Sequence, residues 1–132
     1  MIQSLRSPVS PSGIERSRGP RAALTVSNTL PVLDAHLSVG RGGLSGRAVR
    51  ELTLSCVRAV REAMGPGLPI NASGGILTPA DAFEAIEAGA TTVQVYTGLV
   101  FGGPGVVGEL TTGLAEALRS RRIDLSALVG TA

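Results

Sequence analysis

Apolar residues come in short runs along this chain, and glycine closes most of them. The clearest stretch runs from Leu68 to Phe101. It opens Leu68-Pro69-Ile70-Asn71-Ala72-Ser73-Gly74-Gly75-Ile76 and closes Thr91-Thr92-Val93-Gln94-Val95-Tyr96-Thr97-Gly98-Leu99-Val100-Phe101. This pattern predicts strand, glycine turn, helix, strand, glycine turn. Between the strands, Ala82, Phe83 and Ile86 recur at helical spacing. Thr78 is a natural N-cap, Pro79 suits the first helical position, and Asp81 places an anion where the helix dipole favours it. Gly89 supplies a left-handed end. The next strand follows after Ala90 alone, which predicts a packed parallel βαβ crossover.

The flanks extend the alternation. Ala22 to Val26 predicts a short buried strand, and Ser27-Asn28-Thr29 falls at its C-terminal end, where α/β proteins carry ligands. The same triplet also suits a side-chain-bonded turn. Residues 30–50 read as a long connection that holds Asp34 and His36. It ends in Gly40-Arg41-Gly42-Gly43-Leu44-Ser45-Gly46-Arg47, which suits either an oxyanion wrap or a flexible loop. Glu51 to Met64 predicts a helix with Leu52, Cys56, Val57, Val60 and Met64 on or near its buried face. Gly65-Pro66-Gly67 stops it. Beyond Phe101 a glycine-rich turn leads into a helix through about Arg119, with Val107, Leu110, Leu114 and Leu118 inward. Asp124 is placed to cap a last short helix, Leu125 to Val129. Gly103, Gly105 and Gly108 fit a dinucleotide-binding spacing, but they do not follow a strand directly, and they read as a helix start.

Three βα units emerge, with parallel strands near 23–26, 68–72 and 92–95. They fit the last part of a (β/α) barrel or a small open sheet. A closed eight-stranded barrel usually takes about 250 residues, and this chain has 132. In such barrels the loops after the last strands often hold phosphate. Here those are Ser73-Gly74-Gly75 and Tyr96-Thr97-Gly98. Glycines there let the backbone approach a ligand and turn N–H groups toward an anion.

Composition narrows the chemistry. All 12 basic residues are arginine, so Schiff-base and lysine general-base reactions have no residue here. Cys56 and His36 each stand alone, which leaves no internal disulfide and no multi-histidine metal centre. Cys56 lies on the buried helix face as a packed thiol, and His36 receives no role. A net charge of +2 makes no case for nucleic acid. Residues 1–21 are rich in Ser, Pro, Gly and Arg and read as a disordered basic tail preceding a domain over 22–132. No apolar run approaches a membrane span and no leader pattern opens the chain, so a cytoplasmic setting is the default.

Several blocks resemble the C-terminal part of dihydroorotate dehydrogenases. They are Val26-Ser27-Asn28-Thr29, Gly42-Gly43-Leu44-Ser45-Gly46-Arg47, Pro69 to Ile76, Ala88-Gly89-Ala90 and Val93 to Pro104. The arginine closing the second block, and Tyr96-Thr97-Gly98 followed by Gly103-Pro104, look like the quinone-dependent branch. The resemblance covers roughly residues 24–118. It implies part of an FMN-binding (β/α)8 barrel that oxidises dihydroorotate to orotate in pyrimidine synthesis and passes electrons to quinone. It implies that Asn28 and Thr29 bind orotate, that Ser27 faces the flavin, and that Gly46, Gly74, Gly75, Tyr96 and Thr97 hold FMN, chiefly its phosphate. The family's catalytic serine, its lysines and its membrane-facing extension have no counterpart in the matched region. The expectation is therefore an incomplete barrel, inactive alone, that pairs with a missing N-terminal half-barrel or with itself. The change of composition before residue 22 fits a shifted frame or a wrong start. Two alternatives stay open: a non-catalytic module that pairs with another half-barrel, and a different FMN or phosphate barrel enzyme.

Overall fold

A computed structural model describes residues 22–131. The tail expected over 1–21 lies outside the described residues. Strands β1 (Leu24–Val26), β4 (Ile70–Ser73) and β5 (Thr92–Gln94) form one parallel sheet in the order β1-β4-β5. The register sets Thr25 beside Asn71 beside Thr92, and Val26 beside Ala72 beside Val93.

Helix α1 (Arg50–Met64) links β1 to β4 after a hairpin and a 3-10 turn at Gly46–Val49, and α2 (Pro79–Glu87) links β4 to β5. The N-terminus of α2 forms as its residues dictate. The Thr78 hydroxyl accepts from the Asp81 N–H, the Asp81 carboxylate accepts from the Thr78 N–H, and Pro79 opens the helix. Gly89 leaves the helix at φ +119, a conformation unfavourable for residues with a Cβ.

Helices α1 and α2 cover one face of the sheet. Because side chains alternate along a strand, Val26, Ile70 and Ala72 point to that face and join Leu54, Val57, Ala82 and Ala85 in the core. Helix α4 (Val106–Arg121) packs on α2, and Gly113 leaves room for Pro79. A second cluster joins Phe83 and Ile86 of α2 to Leu128 of α5 (Leu125–Leu128). The Arg121 guanidinium lies over the Phe83 ring, 4.2 Å from its centroid.

Several expectations are corrected. Residues 30–50 are not one long connection, because β2 (Leu30–Leu33) and β3 (Arg41–Leu44) pair antiparallel as a hairpin. Two of the glycines read as a loop thus sit in a strand. Strand β1 is buried only at Val26, and Leu24 is exposed. Leu52 and Met64 of α1 face outward, while Thr53, Leu54 and Val57 are buried. On α4, Leu110, Leu114 and Leu118 face inward as expected, but Val107 is exposed and Val106 is buried in its place. The Tyr96-Thr97-Gly98 segment is not an open turn but the start of a short helix, α3 (Thr97–Gly102).

The other face of the sheet carries Thr25, Asn71, Ser73, Thr92 and Gln94, all uncharged and polar. Asn71 donates through Nδ2 to Gln94 Oε1 at 2.9 Å and to Thr25 Oγ1 at 3.4 Å. Its Oδ1 accepts from Thr92 Oγ1 at 3.0 Å.

Candidate functional site

The C-terminal ends of the three parallel strands open toward one cleft of about 50 Å³. That is room for a few water molecules, or for one small anionic group. Asn28 and Thr29 reach it from β1, Gly74 and Gly75 from β4, and Tyr96 and Thr97 from β5 and α3. Gly46, at the start of the 3-10 turn, completes the set. Seven of the eight residues nominated from the sequence therefore converge.

Ser27 does not line the cleft. Its backbone is left-handed at φ 69, and its hydroxyl accepts from the buried Thr53 hydroxyl at 3.0 Å. Thr53 Oγ1 also lies 3.0 Å from the Val49 carbonyl and 3.4 Å from the Ser73 carbonyl. One buried hydroxyl thus ties the ends of β1 and β4 to α1. Sequence patterning missed Thr53 because a threonine within an apolar helix face carries no signal of its own. It also missed Ile76 and Gln94, which line the cleft together with Ser45 and Ser73 of the two loops already singled out.

The glycines are required where they stand. Gly75 has φ +75, and a Cβ there would lie 2.6 Å from Arg50 Cα. Gly74 has φ +116, and its Cβ would lie 2.8 Å from Thr53 Oγ1. The turn after β4 is thus pressed against the start of α1. Among the described residues, nothing accepts a hydrogen bond from the backbone N–H of Gly46, Gly75, Tyr96 or Thr97. No charged side chain lines the cleft. Its capacity to hold an anion therefore rests on unpartnered N–H groups.

Behind the cleft, the Asp81 carboxylate accepts from the N–H groups of Leu77 and Thr78, the Thr78 hydroxyl, and Arg50 Nε at 2.7 Å. Arg50 also pairs with Glu51 and Glu84. Burial pushes the Asp81 carboxyl up, but these hydrogen bonds outweigh it and hold the group below the usual carboxylate range. Burial likewise opposes the charge on Arg50, while Asp81, Glu84 and Glu51 raise its pKa and keep it ionised. The network fixes the loop from Gly75 to Thr78 against α1.

The comparisons with known proteins decide the family. The dihydroorotate dehydrogenase family model matches residues 17–118. This chain belongs to the dihydroorotate dehydrogenase family. It is 46% identical over 103 residues to the dihydroorotate dehydrogenase (quinone) of Sphingopyxis alaskensis, covering 76% of this chain and 29% of the relative. It is 44% identical over 101 residues to that of Novosphingobium aromaticivorans, covering 74% and 29%. Among solved structures, the ligand-free DHODH of Eimeria tenella superposes with a TM-score of 0.74 at 32% identity, over 83% of this chain and 32% of that one. The same organism's DHODH in complex with ferulenol gives 0.71 at 31% identity, over 83% and 30%. The chain thus spans under a third of the relatives' length. Within the dihydroorotate dehydrogenase fold, the described residues make an incomplete (β/α) barrel: three parallel strands with their covering helices.

Proposed function

We propose that this chain serves as the C-terminal wall of a quinone-type dihydroorotate dehydrogenase, holding the FMN phosphate and one edge of the orotate site. The supporting observation is the meeting of three loops at one cleft whose backbone N–H groups lack partners. In this reading Gly46, Gly75, Tyr96 and Thr97 donate N–H groups to the phosphate, and Gly74 gives it close access. Asn28 and Thr29 present an amide and a hydroxyl to the orotate ring and carboxylate. Ser27 contributes through its fixed backbone, since its hydroxyl is engaged by Thr53. FMN, when bound, supplies the redox chemistry; this chain binds and orients it.

Other chain segments supply the catalytic base, and the isolated 132-residue chain turns over no dihydroorotate. Electrons pass to quinone, in pyrimidine biosynthesis, only in a completed barrel. Among the described residues no helix is long and apolar enough to cross a membrane.

Titration of the purified chain with FMN and with riboflavin tests the cofactor reading. FMN should bind, and riboflavin, which lacks the phosphate, should bind at least about tenfold more weakly, the scale of one lost charge-assisted hydrogen bond. Equal affinity for the two flavins, or no binding of either, would overturn it. Dihydroorotate oxidation by the pure chain would refute the expected inactivity.

A second reading, a module that pairs with another half-barrel without catalysis, has one observation in its favour. The sheet face that would fill the barrel is polar at Thr25, Asn71, Ser73, Thr92 and Gln94. Closed barrels usually fill that space with branched aliphatic side chains.

A further inference from the structure

The polar face of the sheet and the cleft share one residue, Gln94. Gln94 lines the cleft, and its Oε1 is taken by Asn71 Nδ2 at 2.9 Å. An amide has two ends, and a neighbour that binds one end decides which end remains for a ligand. Asn71 is itself oriented, because Thr92 Oγ1 donates to its Oδ1 at 3.0 Å and its Nδ2 lies 3.4 Å from Thr25 Oγ1. The hydrogen bonds run from the Thr92 hydroxyl of β5 to the Asn71 amide of β4 and back to Gln94 of β5. Among the described residues nothing accepts from Gln94 Nε2, so two N–H donors remain. Gln94 lines the same cleft as Gly75, Tyr96 and Thr97, whose backbone N–H groups are unpartnered among the described residues. The unpartnered backbone N–H groups are donors, so the ligand group that meets them is an acceptor.

We propose that Gln94 is a further ligand-binding residue, its side-chain amide donating to an oxygen at the phosphate-bearing end of the cofactor. Asn71 is then a positioning residue that sets which end of that amide meets the ligand. The inference rests on the FMN reading above and deepens it. It assigns a role to the polar substitution at the centre of the strand. An aliphatic residue at position 71 would leave the Gln94 amide free to rotate.

The test is FMN affinity of the full 132-residue chain and its variants. Gln94→Met removes the donor and should weaken binding roughly fivefold, the scale of one neutral hydrogen bond. Gln94→Glu sets a carboxylate against the phosphate and should weaken it more than tenfold, on the order of one unpaired like-charge contact. Asn71→Asp offers acceptors alone, so Gln94 must turn its Nε2 back to residue 71 and present Oε1 to the cleft. That variant should bind about as poorly as Gln94→Glu, with altered side-chain amide resonances for Gln94. In the Gln94→Met background, Asn71→Asp should have no further effect, because a positioning residue has nothing left to position. Additive losses would instead mark Asn71 as merely structural and overturn its role. Wild-type affinity in Gln94→Met would overturn the proposal while leaving the FMN reading intact. Failure of the wild-type chain to bind FMN would overturn both. Gln94 is exposed, so its variants decide the matter even if Asn71→Asp does not fold.

Discussion

Single residues control the cleft through backbone geometry more than through side-chain charge. Gly75 combines a positive φ with backbone atoms of Arg50 where a Cβ would go. Gly75→Ala should therefore cost about 2–4 kcal/mol, the sum of strain and overpacking, read as a lowered denaturation midpoint. Asp81 holds the same loop from behind. Asp81→Asn leaves Arg50 short of a charge partner and should cost on the order of 3 kcal/mol in urea unfolding. Because the folded carboxyl is held below its ordinary 3.8, its stabilisation is present above that pH. It begins to be lost as pH falls through 3.8 and is gone below the folded value. The stability gap between wild type and Asp81→Asn should accordingly shrink in acid melts. The glycines and the Thr78 cap were legible in sequence because each answers a local backbone demand. Arg50, 31 residues from Asp81 along the chain, was not, because nothing local pairs them.

Among elements, α2 was the most legible and the segment around residues 30–50 the least. A cap, a proline, an apolar period and a left-handed glycine all agree over α2. Over 30–50 the antiparallel hairpin is held by cross-strand pairing of Leu30 with Leu44 and Leu33 with Arg41. Short strands containing Pro31 and Gly42-Gly43 carry no propensity signal to reveal it. The misplaced positions at the ends of α1 and α4, Leu52, Met64 and Val107, have one cause. An apolar face read from period alone cannot fix where the buried side begins, and the interior takes Thr53 and Val106 rather than Leu52 and Val107. The link between elements at Thr53 makes a prediction. Thr53→Val keeps the shape but leaves the Ser27 hydroxyl and the Ser73 carbonyl without this partner. It should cost about 1–2 kcal/mol and raise amide exchange at the ends of β1 and β4. Leu52→Ala, on the exposed side of the same helix, should change stability by less than about 1 kcal/mol.

The whole molecule is a parallel sheet with helices on one face and polar side chains on the other. Parallel sheets are usually covered on both faces and at their edges. Among the described residues, β1 and β5 each leave one edge unpaired. Val100, Phe101 and Val107 are also exposed, Phe101 by 85%. The chain should therefore self-associate with rising concentration in sedimentation, and Phe101→Ser should reduce that association while shifting stability by under about 0.5 kcal/mol. An unchanged monomer at high concentration would show that these edges and apolar groups are covered in solution. The sequence by itself determined the βαβ unit, its glycine turns, the barrel family and the strand ends that meet at the cleft. The barrel family was carried by the resemblance of several sequence blocks; the other features follow from propensity, capping and left-handed backbone demands, which act within a few residues. Tertiary structure alone decided which helix faces are buried, that Ser27 turns to Thr53, that Arg50 braces the loop through Asp81, and that Asn71 orients Gln94. These depend on contacts between residues 23 to 31 positions apart or more, as for Gln94 and for Asp81, and only the fold brings such groups together.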